Sequence, residues 1–216
     1  MHIPDSFIPL SQAAVYWLIA LVFIALALRW LRNEMSEEKV PLLAVLAAGV
    51  FALQAFNLPV TMGTSGHLVG GALVAILLGS PYAAVFILTL VLIVQGVLFG
   101  DGGITTMGAN IVNMGVIGGF VGYYGYRALH GLTRNMYASA GVAAWLACLV
   151  PALCASVELW VAGTFPLVEG MIGMGVYHAL IGVVEAGITV AVIALIANAR
   201  PDILERAANL PAGAPA

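Results

Sequence analysis

The first two residues of the chain, Met1 and His2, combine a backbone amine with an imidazole. If the amine is free, its nitrogen, the deprotonated amide nitrogen of His2 and the His2 Nδ1 atom can close two fused chelate rings around one metal ion. The imidazole of His67, within the segment GTSGHLVGGAL, can supply a fourth nitrogen. We therefore predict a metal site built from Met1, His2 and His67.

The donor set of this predicted site contains only nitrogen, which narrows the choice of ion. Deprotonation of a backbone amide near neutral pH requires an ion such as Ni²⁺ or Cu²⁺, which favours square-planar nitrogen ligation. Ca²⁺ and Mg²⁺ prefer oxygen ligands, and tetrahedral Zn²⁺ does not use a flat chelate. The donor set favours Ni²⁺, and less strongly Co²⁺ or Cu²⁺, as the bound ion.

Three polar residues are candidates for supporting roles around this site. Ser65 precedes His67 by two positions, and Asp101 and Asn110 lie in the segment GDGGITTMGANIVNMG. Buried polar side chains in a membrane need partners, so these residues can serve hydrogen bonds between helices. They can equally orient a ligand imidazole, as supporting residues around metal sites do. We predict Asp101 as the best candidate for this second role, followed by Ser65 and Asn110.

The elements that must position these residues are membrane helices. Of the 216 residues, 62% are hydrophobic and only 8% are charged, whereas soluble domains carry about 25% charged residues. A spanning helix needs roughly 20 mostly apolar residues. The candidate segments are 13–31, 40–56, 67–80, 82–99, 106–128, 138–162 and 170–198. We predict one all-α integral membrane domain of about seven helices over residues 1–200, with a short cytoplasmic tail at 201–216.

The positions of the Lys and Arg residues set the predicted orientation, because these residues accumulate in cytoplasmic loops. The chain contains Arg29, Arg32, Lys39, Arg127, Arg134, Arg200 and Arg206. All of them fall on the inner side of the predicted bundle if the N-terminus is outside. The opening MHIPDSFIPL lacks the basic start of a signal peptide. We therefore expect Met1 to remain the start of a multi-pass protein in the cell membrane.

Glu158, His178 and Glu185 fall within predicted spans, where ionisable groups are rare and commonly functional. His178 and Glu185 are seven residues apart, so they share a helix face. They can form a buried structural pair, a proton relay or a deeper metal station, and we favour the structural pair. An alternative function, an intramembrane metalloenzyme, would use all three residues.

Several function classes lack their sequence signals. The chain has no GxxxxGK[ST] phosphate loop for ATP hydrolysis and no HExxH protease motif. Its net charge of −3 offers no basic patch for nucleic acid. A metal site without its own ATPase implies either a passive channel or a binding subunit that partners drive.

Small residues recur at four-residue spacing in two predicted spans, which lets helix backbones approach closely in lipid. Gly118 and Gly122 in the fifth span indicate packing within the chain. Ala44, Ala48 and Ala52 in the second span can pack internally or can form a docking surface for another membrane subunit.

The motifs MHIPDSF, GTSGHLVGGAL, GDGGITTMGAN and HALIGVVEAGIT occur in this order along the chain. In this respect the chain resembles the NikM/CbiM family, the substrate-binding (S) components of energy-coupling factor transporters for nickel and cobalt. The resemblance implies seven helices, an external N-terminus and metal ligation by Met1, His2 and His67. It also implies a transmembrane coupling (T) component, ABC-type ATPase subunits and a small accessory membrane protein as partners.

Within this family, GTSGH and FGDGG resemble the nickel branch. The cobalt branch more often has a Cys-containing GSCSH loop and an HGG sequence, where this chain has Ser65 and Asp101. We therefore expect Ni²⁺ as the transported ligand. The same role for Co²⁺ is the nearest alternative.

Overall fold

The computed structural model describes residues 1–34, 36–60 and 65–209, and most of these residues are helical. The helices are α1 (Leu10–Glu34), α2 (Val40–Gln54), α3 (Gly71–Leu78), α4 (Pro81–Leu98), α5 (Met107–Asn110), α6 (Gly119–Thr133), α7 (Met136–Val161), α8 (Leu167–Ala199) and α9 (Pro201–Asn209). A 3-10 turn (Glu37–Lys39) precedes α2, and a π-helical segment (Ile111–Gly118) joins α5 to α6. Two short strands, β1 (Leu58–Pro59) and β2 (Ser65–Gly66), pair in antiparallel fashion.

The prediction of a helical multi-pass membrane protein is confirmed. Four helices, α1, α4, α7 and α8, are each long and apolar enough to cross a membrane, and α2 is a shorter apolar helix. The fifth predicted segment corresponds to α5, the π-helical segment and α6, which follow one another without a break. Residues 201–209 of the predicted tail form α9, whereas residues 210–216 lie outside the described residues.

Local sequence signals fix the starts of two long helices. The Ser80 hydroxyl accepts a hydrogen bond from the backbone N–H of Tyr82 at 3.2 Å, and Pro81 occupies the first helical position of α4. The Asn135 side chain accepts in the same way from the N–H of Ala138 at 3.0 Å, which caps α7. These caps satisfy N–H groups that a helix start would otherwise leave unpaired.

The predicted start of the third span at His67 is wrong, because helix α3 begins only at Gly71. Gly70 has a φ of +77°, a left-handed conformation that interrupts a helix and suits glycine. Residues 65–70, here named the connector, therefore lie outside any helix, and most of them are buried. Residues 61–64 of the loop before them lie outside the described residues.

The core surrounds α3 and α4. Every residue of α3 is buried, whereas α1 and α8 expose many large apolar side chains on their outer faces. The prediction that the glycines of the fifth span pack within the chain is confirmed. A Cβ added to Gly122 would lie only 2.6 Å from the Cβ of Ala72 on α3. This close approach packs α6 directly against α3.

Candidate metal centre

Residues 1–5, here named the strap, fold into the end of the bundle where α4 ends and α5 begins. The side chain of Asn110 accepts a hydrogen bond from the N–H of Ile3 at 2.8 Å and donates one to the Ile3 carbonyl at 3.2 Å. The Thr106 hydroxyl donates to the same carbonyl at 2.5 Å. Asn110 thus holds the backbone next to His2 rather than a ligand ring.

Asp5 ties the far end of the strap to the same region. Its carboxylate accepts hydrogen bonds from the N–H of Ile104 at 3.1 Å and from the N–H and hydroxyl of Thr105 at 2.8 and 2.5 Å. The hydroxyl bond is the main reason that the pKa of Asp5 lies below its usual value. Gly103 is required beside Asp5, because an added Cβ would collide with the Asp5 backbone. The strap is therefore fixed on both sides of His2.

The His2 residue is only 3% exposed, and its contacts indicate which ring nitrogen carries the hydrogen. Its Nε2 lies 3.2 Å from the Oε1 atom of Gln95, so the ring donates its hydrogen to this acceptor. The lone pair then resides on Nδ1, which has no hydrogen-bond partner among the described residues and lies 3.2 Å from the Asp101 carboxylate. Nδ1 is the atom that the predicted chelate requires.

Gln95, which the sequence pattern did not single out, contacts His2 in the interior. It is 2% exposed in α4 and is the only described hydrogen-bond acceptor for His2. Gln95 lies within the otherwise apolar run VLIVQGVLF. Because polar groups within spans are commonly functional, this position could have been predicted as a site residue.

The connector brings His67 to His2. The two imidazole rings stack with centroids 4.4 Å apart and an interplanar angle of 28°. His67 is 1% exposed, and its Nδ1 donates to the Leu68 carbonyl at 2.8 Å. Its Nε2 therefore carries a lone pair and has no hydrogen-bond partner among the described residues. Each of the two rings thus presents an unused nitrogen lone pair in the interior.

The Met1 amine completes the arrangement. It donates to the backbone carbonyl of Ser65 and lies 3.3 Å from the Ser65 hydroxyl. Ser65, predicted as a supporting residue, therefore contacts the amine rather than an imidazole. The structure thus brings His67 to Met1 and His2, from which it is separated by more than sixty residues in the sequence.

Burial keeps these nitrogens free of protons. It lowers the pKa of the Met1 amine from 8.0 to about 4, because the charged form loses its hydration. The pKa of His2 is lowered from 6.5 to about 4, chiefly by burial and also by the nearby amine. His67 lies outside the helices, and its pKa falls well below 6.5 chiefly for the same reason. All three groups are unprotonated at neutral pH, which is the form that binds metal.

Buried side chains of two other helices hold the connector. Glu185 of α8 accepts hydrogen bonds from the N–H groups of Val69 and Gly70 at 2.8 and 2.9 Å. Gln54 of α2 donates to the Val69 carbonyl at 2.8 Å. Non-helical backbone inside a membrane protein requires such partners. These bonds therefore fix the position of His67.

The predicted pairing of His178 with Glu185 is wrong. Glu185 bonds to the connector backbone, and His178 Nδ1 bonds to the Met174 carbonyl at 2.8 Å. Glu158 instead accepts from the Asn113 side chain at 2.7 Å. These residues therefore serve separate parts of the structure and do not assemble one catalytic group.

A surface cavity of about 340 Å³ borders the site. Its lining includes His2, Ser65 and Asp101, and the Asp101 carboxylate also accepts a hydrogen bond from Asn57 at 2.8 Å. Within residues 1–34, 36–60 and 65–209, no group of three or more His, Cys, Asp or Glu side chains is placed to hold a metal ion. A metal ion at this site would therefore need backbone nitrogens in addition to the imidazoles.

Known proteins similar to this chain are named for metal transport. Residues 2–203 match the family described as cobalt uptake substrate-specific transmembrane region, CbiM. A protein of Archaeoglobus fulgidus with the provisional name fused nickel transport protein NikMN is 40% identical over 210 residues, covering 96% of this chain and 69% of that protein. The cobalt transport protein CbiM of Geobacter sulfurreducens is 35% identical over 225 residues, covering 100% of this chain and 64% of that protein.

The fold is also similar to that of a solved structure. The crystal structure of a truncated transition metal transporter superposes with a TM-score of 0.87 at 32% sequence identity. The match covers 92% of this chain and 99% of that chain. The helical fold of this chain therefore has a counterpart in a protein described as a transition metal transporter.

Proposed function

The chain belongs to the CbiM family of cobalt uptake substrate-specific transmembrane regions, and from this premise we propose that it captures Ni²⁺ for an ATP-driven transporter of the energy-coupling factor type. The protein is a membrane transport subunit and not an enzyme. Its proposed task is to bind the ion on the outer side of the cell membrane and to hold it while partner subunits hydrolyse ATP.

The proposed site has four nitrogen ligands in a square plane. They are the Met1 amine, the His2 amide nitrogen, His2 Nδ1 and His67 Nε2. The observation that carries this proposal is the stacking of His2 on His67 at 4.4 Å, with a free lone pair on each ring. The amide proton must leave when the ion binds, and a planar nitrogen environment of this kind favours Ni²⁺.

Co²⁺ is a second candidate, because the family description and the CbiM relative both refer to cobalt. Ser65 near His67 and the similarity to a NikMN protein favour nickel. A competition titration decides between the ions. A planar Ni²⁺ complex and a tetrahedral or octahedral Co²⁺ complex also differ in their absorption spectra.

The end of the bundle that carries Met1 is proposed to face outward, so that the strap acts as a cover over the captured ion. The opposite end, with α9, then faces the cytoplasm. Opening of the strap admits an ion from the adjoining cavity, which His2 lines, and closure buries the ion. Partner-driven rearrangement of the bundle would then release it inward.

The second helix offers a surface for the proposed coupling component. Ala44, Ala48 and Ala52 are exposed on α2, and an added Cβ on Gly49 would meet nothing within 4 Å. The small residues of this stripe are therefore not used for packing within the described part of the chain. We propose that the transmembrane coupling component binds to this stripe and links the protein to ABC-type ATPase subunits. A small accessory membrane protein is proposed as a further partner of the same assembly.

The test compares the native chain with a variant that carries one alanine before Met1. Intact mass must first show that each purified protein begins at the intended residue. Ni²⁺ titration by calorimetry should then show an affinity at least about 100-fold lower for the extended protein, because its amine can no longer close the first chelate ring. An unchanged thermal unfolding temperature of the metal-free protein controls for folding. Equal affinities would contradict the proposed ligand set.

A passive channel is the remaining alternative of a different kind. Purified protein in liposomes should bind Ni²⁺ without conducting it, and uptake should require the ATPase subunits and ATP. Uptake by the protein alone would favour the channel.

A further inference from the structure

His178 is a second buried histidine whose bonding is incomplete. It lies in α8 with no exposed surface, and its Nδ1 donates to the Met174 carbonyl at 2.8 Å. This bond places the lone pair on Nε2. No hydrogen-bond partner for Nε2 exists among the described residues. Buried polar atoms in native proteins are normally paired, so this one requires an explanation.

His178 lies beside the connector. A Cβ built on Gly66, the residue before His67, would lie 3.6 Å from the Cε1 atom of His178. Cε1 is bonded to both ring nitrogens, so this edge of the ring faces the connector. Both histidines carry an Nε2 atom that has no hydrogen-bond partner among the described residues.

His178 lies in the first half of α8, on the Leu167 side of Glu185. At about 1.5 Å per residue, His178 lies about 16 Å from the start of α8 at Leu167. Glu185, which holds the inner end of the connector, lies about 10 Å further along the same helix. Along α8, His178 thus lies between Leu167 and the point where Glu185 bonds to Val69 and Gly70 of the connector.

We propose that His67 and His178 form a second, weaker metal station on the inner side of the predicted nitrogen chelate. The proposal rests on the proposed function of that chelate. The ligands are the two Nε2 atoms, and the ions are those that imidazole binds well, namely Ni²⁺, Co²⁺ and Cu²⁺. Two side-chain ligands instead of four give weak binding, which suits an ion in transit.

Because His67 belongs to both stations, an ion can change station without leaving the protein. The bonds to Met1 and His2 break, the bond to His178 forms, and the His2 amide nitrogen regains a proton from water. The ion keeps its charge throughout, so this is ligand exchange without oxidation or reduction.

The test uses Cu²⁺ as the probe, because pulsed electron paramagnetic resonance counts the imidazoles bound to this ion. Native full-length protein is first titrated with Ni²⁺, and failure to bind there would refute the proposed function rather than this inference. The His2→Ala variant then removes the chelate. It should bind Cu²⁺ weakly, and its spectrum should show two coordinated imidazoles.

Adding His178→Gln to the His2→Ala variant should reduce the number of bound imidazoles to one and weaken Cu²⁺ binding by at least tenfold. The matched control is His130→Gln in the same background, because His130 lies near the opposite end of the bundle and should leave both results unchanged. If the variant with His178→Gln does not fold, the number of imidazoles bound to Cu²⁺ in the single His2→Ala variant still tests the second station. One imidazole, or no bound Cu²⁺, in that folded variant would overturn the second station.

Discussion

The strap and the connector are both non-helical segments that deliver a histidine to the same place, yet they are held in different ways. Asp5 bonds to exposed groups of the loop before α5, near the surface cavity. The connector is held by the fully buried pair of bonds from Glu185 to Val69 and Gly70. Asn110 and Thr106 add buried bonds, but only to Ile3 of the strap.

This difference indicates which segment can move when an ion binds. Groups released from Asp5 can bond to water immediately, so opening the outer part of the strap costs little. Release of the connector would leave a carboxylate and two N–H groups unpaired inside the bundle, which is expensive. The comparison therefore assigns the movement that admits an ion to the Asp5 end of the strap, and a fixed ligand position to the connector.

The largest expected effect is that of His67→Ala, which removes the ligand that the connector supplies. Ni²⁺ affinity should fall by more than about 100-fold, beyond the range typical of supporting residues. Calorimetric titration measures this loss. The control is His130→Ala, which removes a histidine on α6 whose ring stacks on Tyr126. A similar loss in both variants would show that the effect does not come from the site.

Gln95→Leu should have the next largest effect, because it removes the acceptor that fixes the His2 tautomer. Ni²⁺ affinity should fall by about 10- to 100-fold, as for other residues that orient a ligand imidazole. Gln12→Leu is the matched control, since Gln12 donates to the Glu158 backbone instead. Wild-type affinity in the Gln95 variant would show that the strap alone orients His2.

The comparison of the two segments predicts unequal effects of Glu185→Gln and Asp5→Asn on stability. Glu185→Gln leaves only one acceptor oxygen for two buried N–H groups, which should lower the free energy of unfolding by about 1–3 kcal/mol. Asp5→Asn affects exposed bonds and should cost less than about 1 kcal/mol. Thermal unfolding of the metal-free proteins measures both. Equal costs would contradict the assignment of the strap as the movable segment.

The pH dependence of Ni²⁺ binding should correspond to the release of a single proton. The pKa values of the Met1 amine and of His2 are both lowered to about 4, so neither group is protonated above about pH 5. Only the His2 amide proton must then leave, and Ni²⁺ affinity should fall about tenfold for each unit of pH decrease between pH 8 and pH 5. Below about pH 4 the slope should become steeper. Titrations in several buffers measure the slope, and a two- or three-proton slope near pH 7 would mean that the amine is exposed.

The sequence predicted the elements and the main contact of the site, but not how the site is supported. The nitrogen donors of Met1, His2 and His67 have distinctive chemistry. The positions of the Lys and Arg residues predicted that these donors lie at one end of the bundle. Gln95 was missed because a single polar residue in an apolar helix has no spacing pattern. The pairing of Glu185 with His178 was predicted wrongly because Glu185 bonds to backbone N–H groups. Nearly every residue has such a group, so the sequence does not identify the partner. The late start of α3 depends on Gly70, one of several glycines in a region where sequence alone does not select the helix boundary.

The most direct test of the ligand set is nickel K-edge X-ray absorption of the native protein and of the protein with one alanine before Met1. The native protein should show a planar nickel site with four nitrogen ligands, and the extended protein should lose the planar signature. A native spectrum of six-coordinate nickel with oxygen ligands, or the same planar spectrum from both proteins, would contradict the account.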